Sequence, residues 1–165
     1  MKASANNRPQ KLRRSSSGFT LIELMVTIAV LAIIVGIAAP LFNEHLARGE
    51  IQKTVSLIQT SIDRAKAEST VSRNDIIWSY NATNKQIKLS NGSNTLASYS
   101  LGSNSLLTFT PATVNSVVIK KEGIITTAVG AADIAIDVSD TRNSSTIKRV
   151  RINSKRAFEC SGTNC

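Results

Sequence analysis

The sequence predicts an α+β fold, a helical N-terminal region followed by antiparallel β-sheets, and three observations carry that prediction. Residues 19–39 form an apolar run of 21 residues. From Leu46 to Ala65 apolar residues return at helical steps. From Ile76 onward the chain breaks into short β-branched runs separated by Asn, Gly and Ser.

The apolar run comes first. It is long enough to cross roughly 30 Å of hydrocarbon as a helix. Residues 1–17 hold Lys2, Arg8, Lys11, Arg13 and Arg14 and no acid, the bias of a segment kept in the cytoplasm. No charge lies between Leu24 and Ala39, and Glu23 is the exception in the run. A lone carboxylate in lipid is costly, so it reads as functional and needs a cationic partner. On these features alone three readings stand: a secretory signal peptide cut before Ala39 at Gly36-Ile37-Ala38, an uncleaved anchor, and a processed segment retained in the membrane.

Past Pro40 the polar residues begin, while Leu46, Ile51, Val55, Ile58, Ile62 and Ala65 approximate one helical stripe. Pro40 lacks a backbone donor and Gly36 weakens the turn before it, which predicts a bend over 36–40. Gly49 is a second soft point, and the helix should end near Ser72–Asn74. Eight strands are expected: Ile76–Tyr80, Gln86–Leu89, Leu96–Ser100, Leu106–Phe109, Ser116–Lys120, Ile124–Thr127, Ile134–Val138 and Thr146–Asn153. Asn91-Gly92, Glu122-Gly123 and Asn143-Ser144 supply turn signals, and the Ser/Asn-rich stretch 90–105 reads as a mobile loop.

Composition narrows the functional classes. The net charge is +9, from 20 Lys and Arg against 11 Asp and Glu. Five of the 20 lie in residues 1–17, so from Phe19 onward 15 face 11, a net +4. With one His and two Cys, a zinc tetrad or a Cys–His dyad has almost nothing to draw on. Aromatic residues are 4% of the chain, few for stacking on single-stranded bases. There is no nucleophile elbow, P-loop or dinucleotide fingerprint. No enzymatic activity, cofactor or metal is expected.

Gly18-Phe19-Thr20-Leu21-Ile22-Glu23 resembles the processing signature of type IV pilins and type II secretion pseudopilins. The resemblance implies cleavage by a prepilin peptidase between Gly18 and Phe19 and N-methylation of Phe19. It implies that Glu23 pairs with the Phe19 amine of a neighbouring subunit during assembly. It also implies a pilin-like fold with one long N-terminal helix, half in the membrane and half amphipathic, packed on antiparallel sheets. The chain then divides into a cleaved basic leader (1–18), a helix (19–72, with a transmembrane segment over about 19–40) and a periplasmic β-rich domain (73–165).

Asp63-Arg64-Ala65-Lys66-Ala67-Glu68, then Arg73 and Ile76-Ile77-Trp78-Ser79, is similar to the GspH/FimT group, which holds minor pilins and the H pseudopilin. The two matches cover about 30 residues. Some of the group's minor pilins capture DNA through a C-terminal Gly-Arg-x-Arg segment. Here Arg156 fits the first arginine, Lys155 replaces the glycine and Phe158 stands in the second arginine's place.

The local charge speaks separately. Lys148, Arg149, Arg151, Lys155 and Arg156 fall within nine residues with no acid among them, and suit phosphate contact. On a strand, Arg149 and Arg151 share a face opposite Lys148. A solvated edge strand protected by its cations is the plain alternative, and an acidic protein partner the third. Cys160 and Cys165 are expected to form a disulfide in the oxidising periplasm. Asp133, Asp137 and Asp140 lack the glycine-bearing loop a calcium site needs, and read as solvated strand ends. His45 is expected on the exposed helix face.

The expected function is that of a minor pilin or pseudopilin, a structural subunit at the tip or the start of a type IV pilus. A DNA-binding minor pilin serving uptake and an H-type pseudopilin of type II secretion are the alternatives. Its partners are other pilin or pseudopilin subunits, the prepilin peptidase, the membrane and, as a candidate, DNA. Before assembly it would be a single-pass inner-membrane protein with a periplasmic domain.

Overall fold

A threonine starts the first element. The Thr20 hydroxyl accepts the Glu23 N–H at 3.3 Å, and the Leu24 N–H donates to the Thr20 carbonyl at 3.2 Å. Thr20 therefore caps helix α1 (Leu21–Ser72), and the Thr-x-x-Glu spacing is that of a capping box. The computed structural model describes residues 18–127, 130 and 133–160. Pro40 lies inside α1, and its missing N–H leaves the Gly36 carbonyl without an intrahelical partner. Arg73, at φ 53°, takes the left-handed conformation that terminates the helix.

The chain divides into two compact units between Ala38 and Ala39. In the first, the described residues are exposed apolar helix behind Gly18, Phe19 and Thr20. In the second, α1 buries Ala47, Ile51, Thr54, Val55, Ile58, Ser61, Ile62, Ala65 and Ser69. Leu46 is not on that stripe, being 42% exposed. Five residues before Ile51, it is rotated by about 140° at 100° per residue, and Ala47 takes the place.

Nine strands follow among the described residues. They are β1 (Ile76–Asn81), β2 (Gln86–Asn91), β3 (Asn94–Ser100), β4 (Ser105–Thr110), β5 (Ser116–Ile119), β6 (Ile125–Thr127), β7 (Ile134–Asp140), β8 (Asn143–Ile152) and β9 (Ala157–Cys160). One sheet has the order β3-β2-β1-β5-β6 and the other β4-β7-β8-β9, antiparallel throughout. The expected fold, a long helix packed on antiparallel sheets, is the one observed.

Alternation sets the core. Ile76, Trp78 and Tyr80 of β1, Ile134, Ile136 and Val138 of β7, and Val150 and Ile152 of β8 point inward with the helix stripe. The fully buried indole N–H of Trp78 donates to the Ser61 hydroxyl at 2.8 Å, and that hydroxyl donates to the Ile58 carbonyl at 2.8 Å. Burying so large a side chain is favourable only if its polar atom finds such a partner. Phe109 joins the layers, with its ring 5.7 Å from Tyr80 and 6.5 Å from Trp78.

Three local expectations are corrected. The stretch 90–105 is a loop only in part: β2 runs to Asn91, Gly92 turns the chain at φ 56°, β3 covers Asn94–Ser100, and residues 101–104 connect it to β4. Ser93, Asn94, Ser98, Ser100 and Ser103 are exposed, Ser90 and Ser105 are buried, and Ala97 and Tyr99 pack against the core. Asn143-Ser144 is not a turn. Thr141 and Arg142 make the turn, and β8 begins at Asn143. Strand β9 has no counterpart in the sequence reading, because four residues behind Lys155-Arg156 carry too little pattern.

Candidate functional site

In the first unit Gly18, Phe19 and Thr20 precede the helix in non-helical conformation, and Phe19 is 80% exposed. Space is open around Gly18. Glu23 is the acid of the first turn, where a carboxylate faces the positive end of the helix dipole. The first half of α1 has the length and apolar composition of a membrane-crossing helix. An open peptide bond, a helix capped one residue past Phe19 and one carboxylate in that first turn thus lie within six residues. Thr20 was missed in the sequence, although Thr-x-x-Glu before an apolar run was legible. Gly36 and Pro40 both lie within α1.

In the second unit the basic run is resolved cation by cation. Asp137 lies directly opposite Arg149 in the β7–β8 register. The Arg149 guanidinium grips that carboxylate at 2.6 and 2.8 Å, a bidentate pair that raises the arginine pKa through the hydrogen bond. Arg151 grips Asp133 in the same way. Lys148 points to the other face, reaching Glu159 at 2.6 Å and Gln52 of α1 at 2.5 Å. Arg149 and Arg151 do share one face, as expected, but three of the five cations have carboxylate partners from β7, β9 or the approach to β7.

Lys155 and Arg156 differ. The Asn153 side chain accepts their backbone N–H groups at 2.9 and 2.8 Å, shaping the turn between β8 and β9. Lys66 of α1 donates to the Lys155 carbonyl, and the Arg156 guanidinium lies 5.2 Å from the Phe158 ring centre. The edge-strand alternative is corrected, because β8 is paired on both sides and β9 is the edge. Asp133 and Asp137 are not free strand ends, since each holds an arginine. No group of three metal-ligating side chains gathers among the described residues. His45 is exposed. Cys160 ends β9, and Cys165 lies outside the described residues.

Sequence reasoning also missed a buried node. The fully buried Asp140 accepts the Arg142 Nε–H at 2.9 Å, an Nη2–H at 2.7 Å and the Arg142 backbone N–H at 2.9 Å. Those hydrogen bonds hold its carboxyl below the usual carboxylate range despite burial. Nearby, Thr54 of α1 meets the Ser105 hydroxyl at 3.1 Å, and that hydroxyl donates to Glu50 at 3.3 Å. An Asp-x-Arg spacing at a hairpin was the available signal. At the far end of the helix Asp75 bonds Lys120 at 2.9 Å and the Lys121 N–H at 3.0 Å, and its pKa is lowered, chiefly by Lys120.

Comparison with known proteins adds to this geometry. The model of the prokaryotic N-terminal methylation motif matches residues 13–39. The fimbrial protein EcpB of Eikenella corrodens is 50% identical over 36 residues, 22% of this chain and 23% of that protein. A fimbrial protein of Pseudomonas aeruginosa is 36% identical over 58 residues, 35% of this chain and 36% of that protein. This chain thus spans about a quarter to a third of the length of these relatives. Among solved structures, the type IV minor pilin FimU of Pseudomonas aeruginosa has a TM-score of 0.58 at 13% identity, covering 69% of this chain and 90% of FimU. The minor pseudopilin EpsH of the Vibrio cholerae type 2 secretion system has a TM-score of 0.51 at 9% identity, covering 68% of this chain and 97% of EpsH.

A long helix on two antiparallel sheets, shared with FimU and EpsH, defines a pilin-like fold. The chain therefore combines an N-terminal methylation motif over residues 13–39 with a fold similar to that of the minor pilin FimU and the minor pseudopilin EpsH.

Proposed function

We propose that this protein is a minor structural subunit of a type IV pilus, cut between Gly18 and Phe19, methylated on Phe19, and incorporated at the tip or at initiation. The observation that carries the reading is Glu23, a carboxylate in the first turn of an apolar helix, five residues behind Gly18 and inside the matched methylation motif. In lipid that charge needs a cation, and a neighbour's Phe19 amine supplies one only after cleavage. Both fold relatives are named as minor components, which supports a low-copy role.

The test is deletion of the gene with piliation as readout, and quantification of the subunit in sheared filaments against membranes. A minor pilin gives few or no surface pili on deletion, and traces of subunit in filaments. Normal piliation with a subunit confined to membranes contradicts the reading. The likeness to EpsH favours one second reading, an H-type pseudopilin of a secretion system. It predicts intact pili and failed export of secreted proteins in the same deletion strain.

A further inference from the structure

The outer face of the first sheet carries a depression of about 570 Å³ at the β1–β2 hairpin. Its floor is Ser79, a small side chain between larger ones. Lys88 lies directly across from Ser79, and Gln86 directly across from Asn81, in the β1–β2 register. Asn84 of the hairpin turn and Asn115, whose carbonyl accepts the Tyr80 N–H at 2.9 Å, close the remaining sides.

The depression holds more donors than acceptors. The Asn81 side-chain oxygen accepts the Thr83 and Asn84 N–H groups at 2.9 and 3.1 Å, so the capacity this side chain keeps is mainly that of its NH₂ donor. Among the described residues, the side chains of Ser79, Asn84, Gln86, Lys88 and Asn115 have no hydrogen-bond or ion-pair partner, and no carboxylate lines the depression. Lys88 differs from Arg149, Arg151 and Lys148, each of which is neutralised by an acid. One free ammonium among hydroxyl and amide groups matches a ligand with one carboxylate and several hydroxyls. A polyanion such as DNA needs several cations in a row, which this depression lacks. The volume falls within the range of small-ligand sites.

We propose that this depression binds a carboxylated sugar unit, of the uronic acid class, in an acidic polysaccharide. Lys88 takes the carboxylate, and Asn81, Asn84, Gln86 and Asn115 take the ring hydroxyls above Ser79. None of Gly18, Phe19 and Glu23 lines the depression, so the proposal goes beyond the assembly role.

The experiment is equilibrium dialysis of the full chain in detergent against labelled trigalacturonate. Neutral trigalactose and a duplex oligonucleotide serve as comparison ligands. Saturable binding of trigalacturonate is expected, weakened at least about tenfold in trigalactose and in Lys88→Gln, the loss of one charge-assisted hydrogen bond. Asn115→Ala, at an exposed position, is expected to weaken it severalfold, while Lys121→Gln, outside the depression, leaves it unchanged. Absence of saturable binding, equal binding of the neutral sugar, indifference to Lys88→Gln, or displacement by the duplex would each overturn the proposal.

Discussion

Arg142 holds both carboxylate oxygens of Asp140, at 2.9 and 2.7 Å, and Asp140 itself has no exposure to solvent. The pair closes the turn between β7 and β8, and beyond the register shift at Val138/Asp140 the same two strands set Asp137 opposite Arg149.

Arg142→Met should therefore destabilise the domain by about 3 kcal/mol at neutral pH, because it strands a buried carboxylate. The pH dependence carries a sign. In the native chain the folded pKa of Asp140 is lowered from 3.8, so its contribution is intact above that value and is lost as pH falls through the folded one. In Arg142→Met the lowering by the guanidinium is lost, while the backbone N–H of residue 142 and Lys85 still favour the carboxylate against burial. The loss of stability on acidification should therefore be smaller than in the native chain. Urea unfolding from pH 3 to 7 reads both slopes, and parallel curves for the two proteins would remove the pair from the account.

The cross-strand pairs also limit what the basic run can do. Arg149, Arg151 and Lys148 are engaged by Asp137, Asp133 and Glu159, which leaves Lys155 and Arg156 to meet a phosphate. Contact with duplex DNA through two cations gives a log K against log salt slope of about −2. Replacing Lys155 and Arg156 together with Gln should flatten it, and Arg151→Gln should not. A slope near −3 that Arg151→Gln reduces by about 1 would mean that DNA displaces Asp133.

These pairings explain where the sequence was legible and where it was not. The apolar run, Glu23 behind Gly18-Phe19 and the stripe from Ile51 to Ala65 are local patterns, so they could be read directly. Most strands could be read from alternation, within a few residues at the ends. The partners of Arg149 and Arg151 lie 12 and 18 residues away and become visible only once the β7–β8 register, with its irregularity at Val138/Asp140, is known. Leu46 failed for a different reason, since one extra residue before Ile51 rotates it off the buried face.

Cys160 and Cys165 are predicted to be bonded in periplasmic material. The short loop restricts the unfolded chain by roughly 2 kcal/mol on the entropy model. Alkylation with and without reductant, followed by mass spectrometry, decides it. Two thiols labelled without reductant would exclude the bond.

Glu23→Leu should insert into the membrane as well as the native chain, or better, because removing a charge eases insertion. Its incorporation into filaments should fall to background. The measurement is subunit abundance in sheared filaments relative to membranes. Equal incorporation of Glu23→Leu would show that the carboxylate has no assembly partner.

The central claim is that this helix is processed and retained, and intact-mass analysis of the membrane-extracted chain tests it most directly. The account predicts a mature protein that begins at Phe19 and carries one added methyl group on its α-amine. A protein that begins at Ala39, or one that still carries residues 1–18 within an assembled filament, would contradict it.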